Sequence, residues 1–334
     1  MQKNRYWRLD RNPSGNDFAA ALSLQEADLL PLAQGEVRLR NLYLSMDAGT
    51  RMWMGPREDG YQPPQPFGAA MSGQAIGEVI ESTDAEMPVG SLVRAFGQWA
   101  EYSTFRPDEA WAVTLDAKTP DIRQHFGVLG LNGWTALYGL QDIIGIAPGD
   151  VLVVSAAAGA TGLLACQIGR LLGAQVIGIA GGPEKCAYLK DRIGVAMAID
   201  YKNEDVAARI IAFGKEPTAL FENVGGEILD AIMPNMALHG RIGICGLIAG
   251  YDLAGSMPGP RNFDQVLMKR LRIGGIFLPD VPEKGPQFER TLADWLKAGA
   301  IDLPFDMTQG IENTLVAYGR MISGKNIGKT LLKL

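Results

Sequence analysis

Residues 151–181 constrain the fold more than any other part of the chain: VLVVSAAAGATGLLACQIGRLLGAQVIGIAG. Four aliphatic residues at 151–154 predict a strand that is buried on both faces. The pattern A-x-G-x-x-G follows at 157–162, then an apolar helical face, then a second buried strand at 176–179. Small residues at this spacing let a turn close, a pyrophosphate approach the backbone and a helix pack on a strand. The stretch predicts a dinucleotide-binding βαβ unit; a packing turn without a ligand is the alternative.

The second strand of this unit is followed by A-G-G-P-E-K at 180–185, with no acidic side chain at the strand tip. An NAD site usually has Asp or Glu there, which binds the ribose 2′-hydroxyl. Pro183 suits the first position of a helix, so Lys185 lies in the first turn. A cation is unfavourable there because it opposes the helix dipole, and a bound anion would make it favourable. We predict that Lys185 pairs with the 2′-phosphate of NADP(H). A solvated lysine paired with Glu184 or Asp191 is the alternative.

The composition indicates a globular protein of two domains, with 334 residues, 47% of them hydrophobic and 20% charged. A net charge of −6 disfavours a nucleic-acid partner, which would call for a concentrated basic face. The N-terminal residues lack the apolar core of a signal peptide, and no apolar run reaches membrane-spanning length. We therefore expect no membrane partner and a cytoplasmic location.

The cysteines and histidines offer no metal site. Cys166, Cys186 and Cys245 are odd in number and widely spaced, so we expect buried free thiols. With only His125 and His239 besides them, the sequence has no Cys/His cluster that could hold zinc, and we expect no metal. Both histidines are expected at surface or capping positions.

The chain divides by pattern into three parts. Residues 1–122 contain short strands separated by Gly and Pro, which is typical of an irregular β-barrel. In residues 123–290, apolar strand patterns alternate with helical patterns; the strands are predicted at 151–154, 176–179, 196–199, 218–224, 241–245 and 272–278. Residues 291–334 end in an alternating tail that could return to the barrel. The predicted fold class is α/β: a Rossmann-type doubly wound six-strand parallel sheet plus an N-terminal irregular β-barrel domain.

Several short motifs occur in a fixed order along the whole chain. They are N-L-Y-L-S-M-D at 41–47 with Arg51, A-A-A-G-A-T-G at 156–162, G-G-P-E-K at 181–185, D-Y-K at 200–202, E-N-V-G-G at 222–226, C-G at 245–246 with Tyr251, and N-I-G-K at 326–329. In this order they resemble the zinc-independent prostaglandin reductase, alkenal double-bond reductase and bacterial curcumin reductase branch of the medium-chain dehydrogenase/reductase family. The resemblance implies a GroES-like first domain and NADPH-dependent reduction of the C=C bond of an α,β-unsaturated aldehyde or ketone. It also implies a homodimer joined edge to edge through the sixth strand, from residue 273 to 278.

The site residues that we expect follow from the glycine pattern and from this resemblance. For the cofactor they are Ala158, Gly159, Ala160, Thr161, Gly162, Gly181, Lys185, Tyr201, Asn223, Cys245, Gly246, Tyr251, Phe277, Leu278 and Asn326. Plain turn or loop roles are the alternatives for Tyr201, Asn223 and Asn326. For the substrate pocket they are Tyr43, Met46 and Tyr61, with core or surface packing as the alternative.

Tyr251 is the expected catalytic residue, by its place in the motif. It would hold the nicotinamide ribose or contact the substrate oxygen; a loop tyrosine that packs its ring is the alternative. Without a metal, hydride delivery to a β-carbon needs only positioning and one or two hydrogen-bond donors for the developing enolate. The leading hypothesis is therefore an enone reductase. A quinone oxidoreductase on the same scaffold and a non-catalytic NADPH-binding protein remain as rivals.

Overall fold

The computed structural model describes residues 2–58, 60, 62–116, 119–253 and 257–334. Their strands are β1 Lys3–Leu9, β2 Leu22–Asp28, β3 Val37–Ser45, β4 Ser72–Ser82, β5 Leu92–Gln98, β6 Tyr102–Phe105, β7 Val113–Thr114, β8 Val151–Val154, β9 Gln175–Ala180, β10 Met197–Asp200, β11 Ala219–Glu222, β12 Arg241–Ile244, β13 Arg272–Gly275, β14 Phe305–Gln309 and β15 Lys329–Lys333. Their α-helices are α1 Thr50–Trp53, α2 Leu131–Tyr138, α3 Ala160–Leu171, α4 Pro183–Tyr188, α5 Val206–Ala212, α6 Gly226–Ile232, α7 Gln265–Met268, α8 Gly285–Lys297 and α9 Thr314–Ile322. Within these ranges no helix is both long and apolar enough to cross a membrane.

The nucleotide domain is built on a parallel sheet. In the described ranges its strand order is β10-β9-β8-β11-β12-β13, so β8 and β11 lie side by side at its centre. Leu152 and Val154 of β8 pack into one apolar cluster, whereas Val151 and Val153 pack into another on the opposite face. The uninterrupted aliphatic run of β8 is therefore explained by burial on both faces. The predicted doubly wound sheet is confirmed, with its switch point between β8 and β11.

Two of its strands end two or more residues earlier than the sequence predicts. The fourth strand ends at Glu222 rather than at residue 224, because the Glu222 carboxylate accepts the N–H groups of Val224 and Gly225, both at 2.6 Å, and turns the chain. The sixth strand ends at Gly275 rather than at residue 278, and a 3₁₀ turn, Leu278–Asp280, follows. Aliphatic composition alone does not mark these ends.

The first part of the chain and the last strands share a second large sheet. Its order among the described strands is β14-β15-β3-β4-β5-β7, with β6 beside β3. β15 runs antiparallel to β3, with Leu331 opposite Ser45. The Tyr318 ring of α9 packs against Phe18 and Trp99, at centroid distances of 4.8 and 5.1 Å. The end of the chain is thereby joined to the barrel by backbone pairing and by an aromatic core.

The division at residues 122 and 290 stays a prediction. Its second boundary falls inside α8, and Phe288 and Leu292 of that helix are buried in the apolar cluster that also contains Leu152. Helix α8 therefore packs on the nucleotide domain, whereas β14 and β15 pair with the barrel.

Candidate active site

A glycine loop, residues 156–162, joins β8 to α3. It contains the predicted cofactor residues Ala158, Gly159, Ala160, Thr161 and Gly162. Helix α3 begins after Gly159 without a side-chain cap, so its first N–H groups are available to an anion. A Cβ on Gly162 would lie 2.3 Å from the carbonyl oxygen of Ala156, so only glycine lets α3 approach the strand this closely. The loop has the shape and the donors that a pyrophosphate needs.

A tail segment, residues 326–328, lies against this loop. The N–H of Gly328 donates to the carbonyl oxygen of Ala158 at 2.9 Å, and Gly328 forms a parallel bridge with Gly159. Asn326 is buried, and its Nδ2 donates to the carbonyl oxygen of Gly328 at 2.9 Å. The structure therefore brings Asn326 to the glycine loop, although the two are far apart in sequence.

Replacing Gly328 with alanine should strongly destabilise the fold. Gly328 has a φ of 76°, and a Cβ there would lie 2.1 Å from the carbonyl oxygen of Pro304, a backbone atom with little room to move. We expect a loss of about 2–4 kcal/mol in the free energy of unfolding, measured by urea denaturation. Gly299→Ala is the control, because Gly299 has a φ of 67° but no atom within 4 Å of the added Cβ. Equal losses in the two variants would contradict the close-contact argument.

Two lysines and a tyrosine surround the tip of β9. A Cβ on Gly181 would lie 2.8 Å from Cε of Lys202 and 2.9 Å from Cε1 of Tyr201. The pKa of Lys185 is lowered by burial and by the positive charge of Lys202, while Glu184 and Asp306 oppose that shift. The structure thus brings the predicted Gly181, Lys185 and Tyr201 together. Two cations whose charges repel each other provide a site that favours a dianion such as a 2′-phosphate.

The sequence analysis quoted Lys202 in the motif D-Y-K but assigned it no role. Asp200, at the end of the neighbouring strand β10, accepts the N–H groups of Gly182 at 2.7 Å and of Lys202 at 3.1 Å, and the side-chain amide of Asn203 at 2.7 Å. These bonds lower the pKa of Asp200. The Asp200 carboxylate thus fixes the loop of residues 201–203 by these hydrogen bonds. This loop places Lys202 at the tip of β9. A lysine directly after Asp-Tyr at the third strand was the available signal.

Asn223 ties the ends of the two central strands together. Its backbone N–H donates to Oγ of Ser155 and its Nδ2 donates to the carbonyl oxygen of Ser155, both at 2.7 Å. Ser155 is buried directly after β8, so Asn223 lies beside the start of the glycine loop. The adjacent Glu222 is also buried, and burial raises the pKa of its carboxyl group. A fixed polar group thus marks the switch point, where a cofactor would bind.

The hydroxyl of Tyr251 lies at the carboxyl end of β12. It accepts the N–H of Leu247 at 3.2 Å, and a Cβ on Gly246 would lie 2.9 Å from it and 3.3 Å from the carbonyl oxygen of Asn223. Burial raises the pKa of Tyr251, so the phenol stays protonated at neutral pH. Accepting one bond leaves its proton available to be donated. The structure therefore brings Tyr251, Gly246 and Asn223 together around a hydroxyl donor.

The remaining cofactor residues follow the same sheet edge. Burial raises the pKa of the Cys245 thiol to about 12, so it is an apolar wall rather than a nucleophile. The N–H of Ile276 donates to the carbonyl oxygen of Ile244 at 2.8 Å, which places Phe277 and Leu278 next along the chain, beyond the ends of β12 and β13. Cys166, Cys186 and Cys245 are all free thiols.

The two substrate-pocket residues that the structure describes, Tyr43 and Met46, lie in different places. Met46 is 1% exposed and packs with Trp99 in the barrel core, which favours the packing alternative for it. Tyr43 lines a separate cavity of about 390 Å³ with Asp121 and Arg123 in the linker after the barrel. Tyr61 lies outside the described residues. A substrate role for these residues stays a prediction.

Arg51 of α1 is held inside the barrel domain. It is buried, its Nη2 donates to the carbonyl oxygen of Gly15 at 3.0 Å, and burial lowers its pKa while Asp252 opposes the shift. Asp252 directly follows Tyr251. The sequence singled out Arg51 only by resemblance and assigned it no role, and its hydrogen bonds are to backbone carbonyl groups of the barrel domain.

Neither the cysteines nor the histidines form a metal centre in the described residues, where no group of three or more His, Cys, Asp and Glu side chains could hold an ion. His125 corrects the expectation of a surface or capping position. It is buried in the linker, and burial and the nearby charge of Arg94 lower its pKa to about 4. His125 is therefore neutral at pH 7, and its Nε2 lies 3.3 Å from Oγ1 of Thr119.

Comparisons with known proteins identify the family of the chain. Residues 5–113 match a family model described as the N-terminal domain of oxidoreductase, and residues 160–297 match one described as zinc-binding dehydrogenase. The NADPH-dependent curcumin reductase of Escherichia coli K12 is 34% identical over 100% of this chain and 97% of its own length. The NADP(+)-dependent 2-alkenal reductase of Nicotiana tabacum is 34% identical over 91% of this chain and 88% of its own. The crystal structure of CurA from Vibrio vulnificus in complex with NADPH is similar, with a TM-score of 0.92 and 35% identity over 98% of each chain.

Proposed function

The chain belongs to the medium-chain dehydrogenase/reductase family, in the branch of the curcumin and alkenal reductases, and from that membership we propose that it reduces the C=C bond of α,β-unsaturated aldehydes or ketones with NADPH. The observation that carries this proposal is the Tyr251 hydroxyl above Gly246, at the same edge of the sheet as the glycine loop. A protonated donor at that edge suits a carbonyl oxygen that gains negative charge.

The residues present fit NADPH. The glycine loop would hold the pyrophosphate, since a Cβ at Gly162 would fill the space that lets α3 pack there. Lys185 and Lys202 would pair with the 2′-phosphate. Asn223 and Asn326 would line the groove between the two ends of the cofactor. When bound, the reduced nicotinamide supplies a hydride to the β-carbon of the substrate.

The chain's own part in the reaction is to position groups and to stabilise charge. As the β-carbon gains a hydride, the π electrons of the C=C bond form a double bond between the α-carbon and the carbonyl carbon. The π electrons of the carbonyl group move onto its oxygen, which gives an enolate. The Tyr251 hydroxyl donates a hydrogen bond to this oxygen, and the α-carbon then takes a proton from water. The products are the saturated carbonyl compound and the oxidised cofactor, so the hydride and the proton account for the whole reaction.

The test is NADPH oxidation against a panel of alkenals, enones and quinones, with mass analysis of the products. We expect turnover with alkenals or enones and a product two mass units heavier, with the carbonyl retained. Turnover with quinones alone would favour quinone oxidoreduction instead. Cofactor binding without oxidation by any of these compounds would favour the non-catalytic reading.

We also propose that the protein forms a homodimer through β13. Among the described strands β13 pairs only with β12, and its Ile273 is 44% exposed. An unpaired edge with an exposed aliphatic side chain favours pairing with a second strand, and two antiparallel copies would extend the sheet across both chains. The cytoplasmic location stays a prediction.

Replacing Ile273 with lysine should weaken this dimer. A charged side chain on an edge strand opposes strand addition, so we expect the dimer dissociation constant to rise by about tenfold or more. Analytical ultracentrifugation measures it. Ile211→Lys is the control, because Ile211 is 67% exposed on α5, away from the edge. If both variants dimerise as the wild type does, β13 is not the interface.

A further inference from the structure

Lys329 is a buried cation next to the tail segment. It is 2% exposed, and its ammonium pairs with the carboxylate of Asp47 and donates to the carbonyl oxygen of Met46 at 3.3 Å. A buried charge is tolerated only when it is paired and hydrogen-bonded. Lys329 therefore cannot move away from Asp47 without leaving an uncompensated charge, which is costly.

Asp47 is held in place by its own neighbours. Its second carboxylate oxygen accepts the hydroxyl of Ser45, and its backbone carbonyl accepts the N–H of Thr50 at 3.2 Å, at the start of α1. The carboxylate is thus fixed by the last residue of β3, and the backbone of Asp47 is fixed by α1. The ion pair joins the loop after β3 to the first residue of β15, the strand that pairs with β3 and directly follows the tail segment.

The tail segment ends one residue before Lys329. The N–H of Lys329 donates to the carbonyl oxygen of Pro304 at 2.9 Å, and the N–H of the preceding Gly328 donates to that of Ala158 at the same distance. The buried ion pair therefore lies one residue from the bond that joins Gly328 to the glycine loop. Ile327, directly before Gly328, packs on the apolar cluster of the nucleotide domain.

We propose that the Asp47–Lys329 pair is a positioning device for cofactor binding, which fixes residues 326–328 against the glycine loop. The proposal rests on the proposed function, because it takes the glycine loop to be the pyrophosphate site. Asp47 and Lys329 act through the tail segment, so they are positioning residues. Their loss should loosen the tail first and weaken NADPH binding as a consequence.

The experiment compares Asp47→Asn and Lys329→Met with Arg40→Met, a control on β3 of the same sheet that removes an exposed cation paired with Glu78 at 2.6 Å. Hydrogen exchange without cofactor is measured for peptides that cover 156–162 and 326–330. NADPH affinity is measured by nicotinamide fluorescence. We expect both pair variants, but not the control, to exchange at least about tenfold faster in these two peptides and to bind NADPH about tenfold more weakly.

Unchanged exchange and unchanged affinity in the pair variants would overturn the proposal. If exchange becomes faster to the same extent throughout β8–β12 as in the two peptides, the proposal is also overturned, because the ion pair then has a general structural role. Where Asp47→Asn does not fold, Lys329→Met carries the same test, because Asp47 is partly exposed and tolerates the loss of its partner. Asp47→Glu keeps the charge, so exchange as in the wild type supports the proposal, and exchange as fast as in Lys329→Met contradicts it. If the wild type itself does not bind NADPH, the proposed function fails, while the exchange data still decide whether the pair pins the tail.

Discussion

The Lys185→Ala, Lys202→Ala double variant is expected to lose most of its preference for NADPH over NADH. Each lysine lies at the tip of β9, where their mutual repulsion favours a bound dianion. A hydrogen bond to a charged group contributes about 1.5–3 kcal/mol, so each single variant should bind NADPH about tenfold to a hundredfold more weakly, and the double variant about a thousandfold. NADH, which lacks the 2′-phosphate, should bind as it does to the wild type. Fluorescence titration with both cofactors gives these values.

Lys190→Ala is the matched control, because Lys190 is exposed in the helical turn Leu189–Ile193 that follows α4. It should change neither affinity. The wild-type affinity for NADPH should also fall with added salt, more steeply than that of the double variant, because screening acts on the ionic contacts. An NADPH preference that survives in the double variant would show that the 2′-phosphate lies elsewhere.

Replacing Tyr251 with phenylalanine should lower kcat by about a hundredfold, which is the usual cost of removing one donor to a developing oxyanion. The ring would stay in place while its hydroxyl, above Gly246, is lost. The affinity for NADPH should change less than about threefold, because no charged contact is removed. Burial raises the pKa of Tyr251 above its usual value of about 10. Deprotonation of Tyr251 should therefore not lower the wild-type kcat below about pH 10.

The split between kcat and cofactor affinity distinguishes two roles for this hydroxyl. Contact with the substrate oxygen predicts a loss in kcat alone, whereas a hold on the nicotinamide ribose predicts a matching loss of NADPH affinity. Tyr102→Phe is the control, because its hydroxyl is bonded to the Gln2 side chain on the barrel surface. A Tyr251→Phe enzyme with wild-type kcat would remove Tyr251 from the mechanism.

The parallel sheet could be predicted from the sequence because burial on both faces leaves a continuous aliphatic run, as in β8. The glycine pattern was informative because the close approach of α3 to the strand leaves room for no side chain at Gly162. Strand ends were less predictable. The end of β11 is set by the Glu222 carboxylate bonding to two backbone groups, which is a side-chain effect that no apolar pattern reports.

The contacts between distant parts of the chain could not be predicted from local patterns. The charge of Lys202 acts on Lys185 only because β9 and β10 are neighbours in the sheet. Lys329 meets Asp47 only because β15 returns to β3. Met46 was expected at the substrate and lies in the barrel core, since an apolar side chain fits either place equally well. Local patterns identify which residues can bind a cofactor, whereas the topology decides which of them meet.

The most direct test of the central claim is the transfer of deuterium from NADPH labelled at C4 of the nicotinamide to an enone. The account predicts a saturated ketone that carries one deuterium at the β-carbon, with the carbonyl intact, as measured by mass spectrometry and NMR. Deuterium on the carbonyl carbon of an alcohol product, or none in any product, would contradict it.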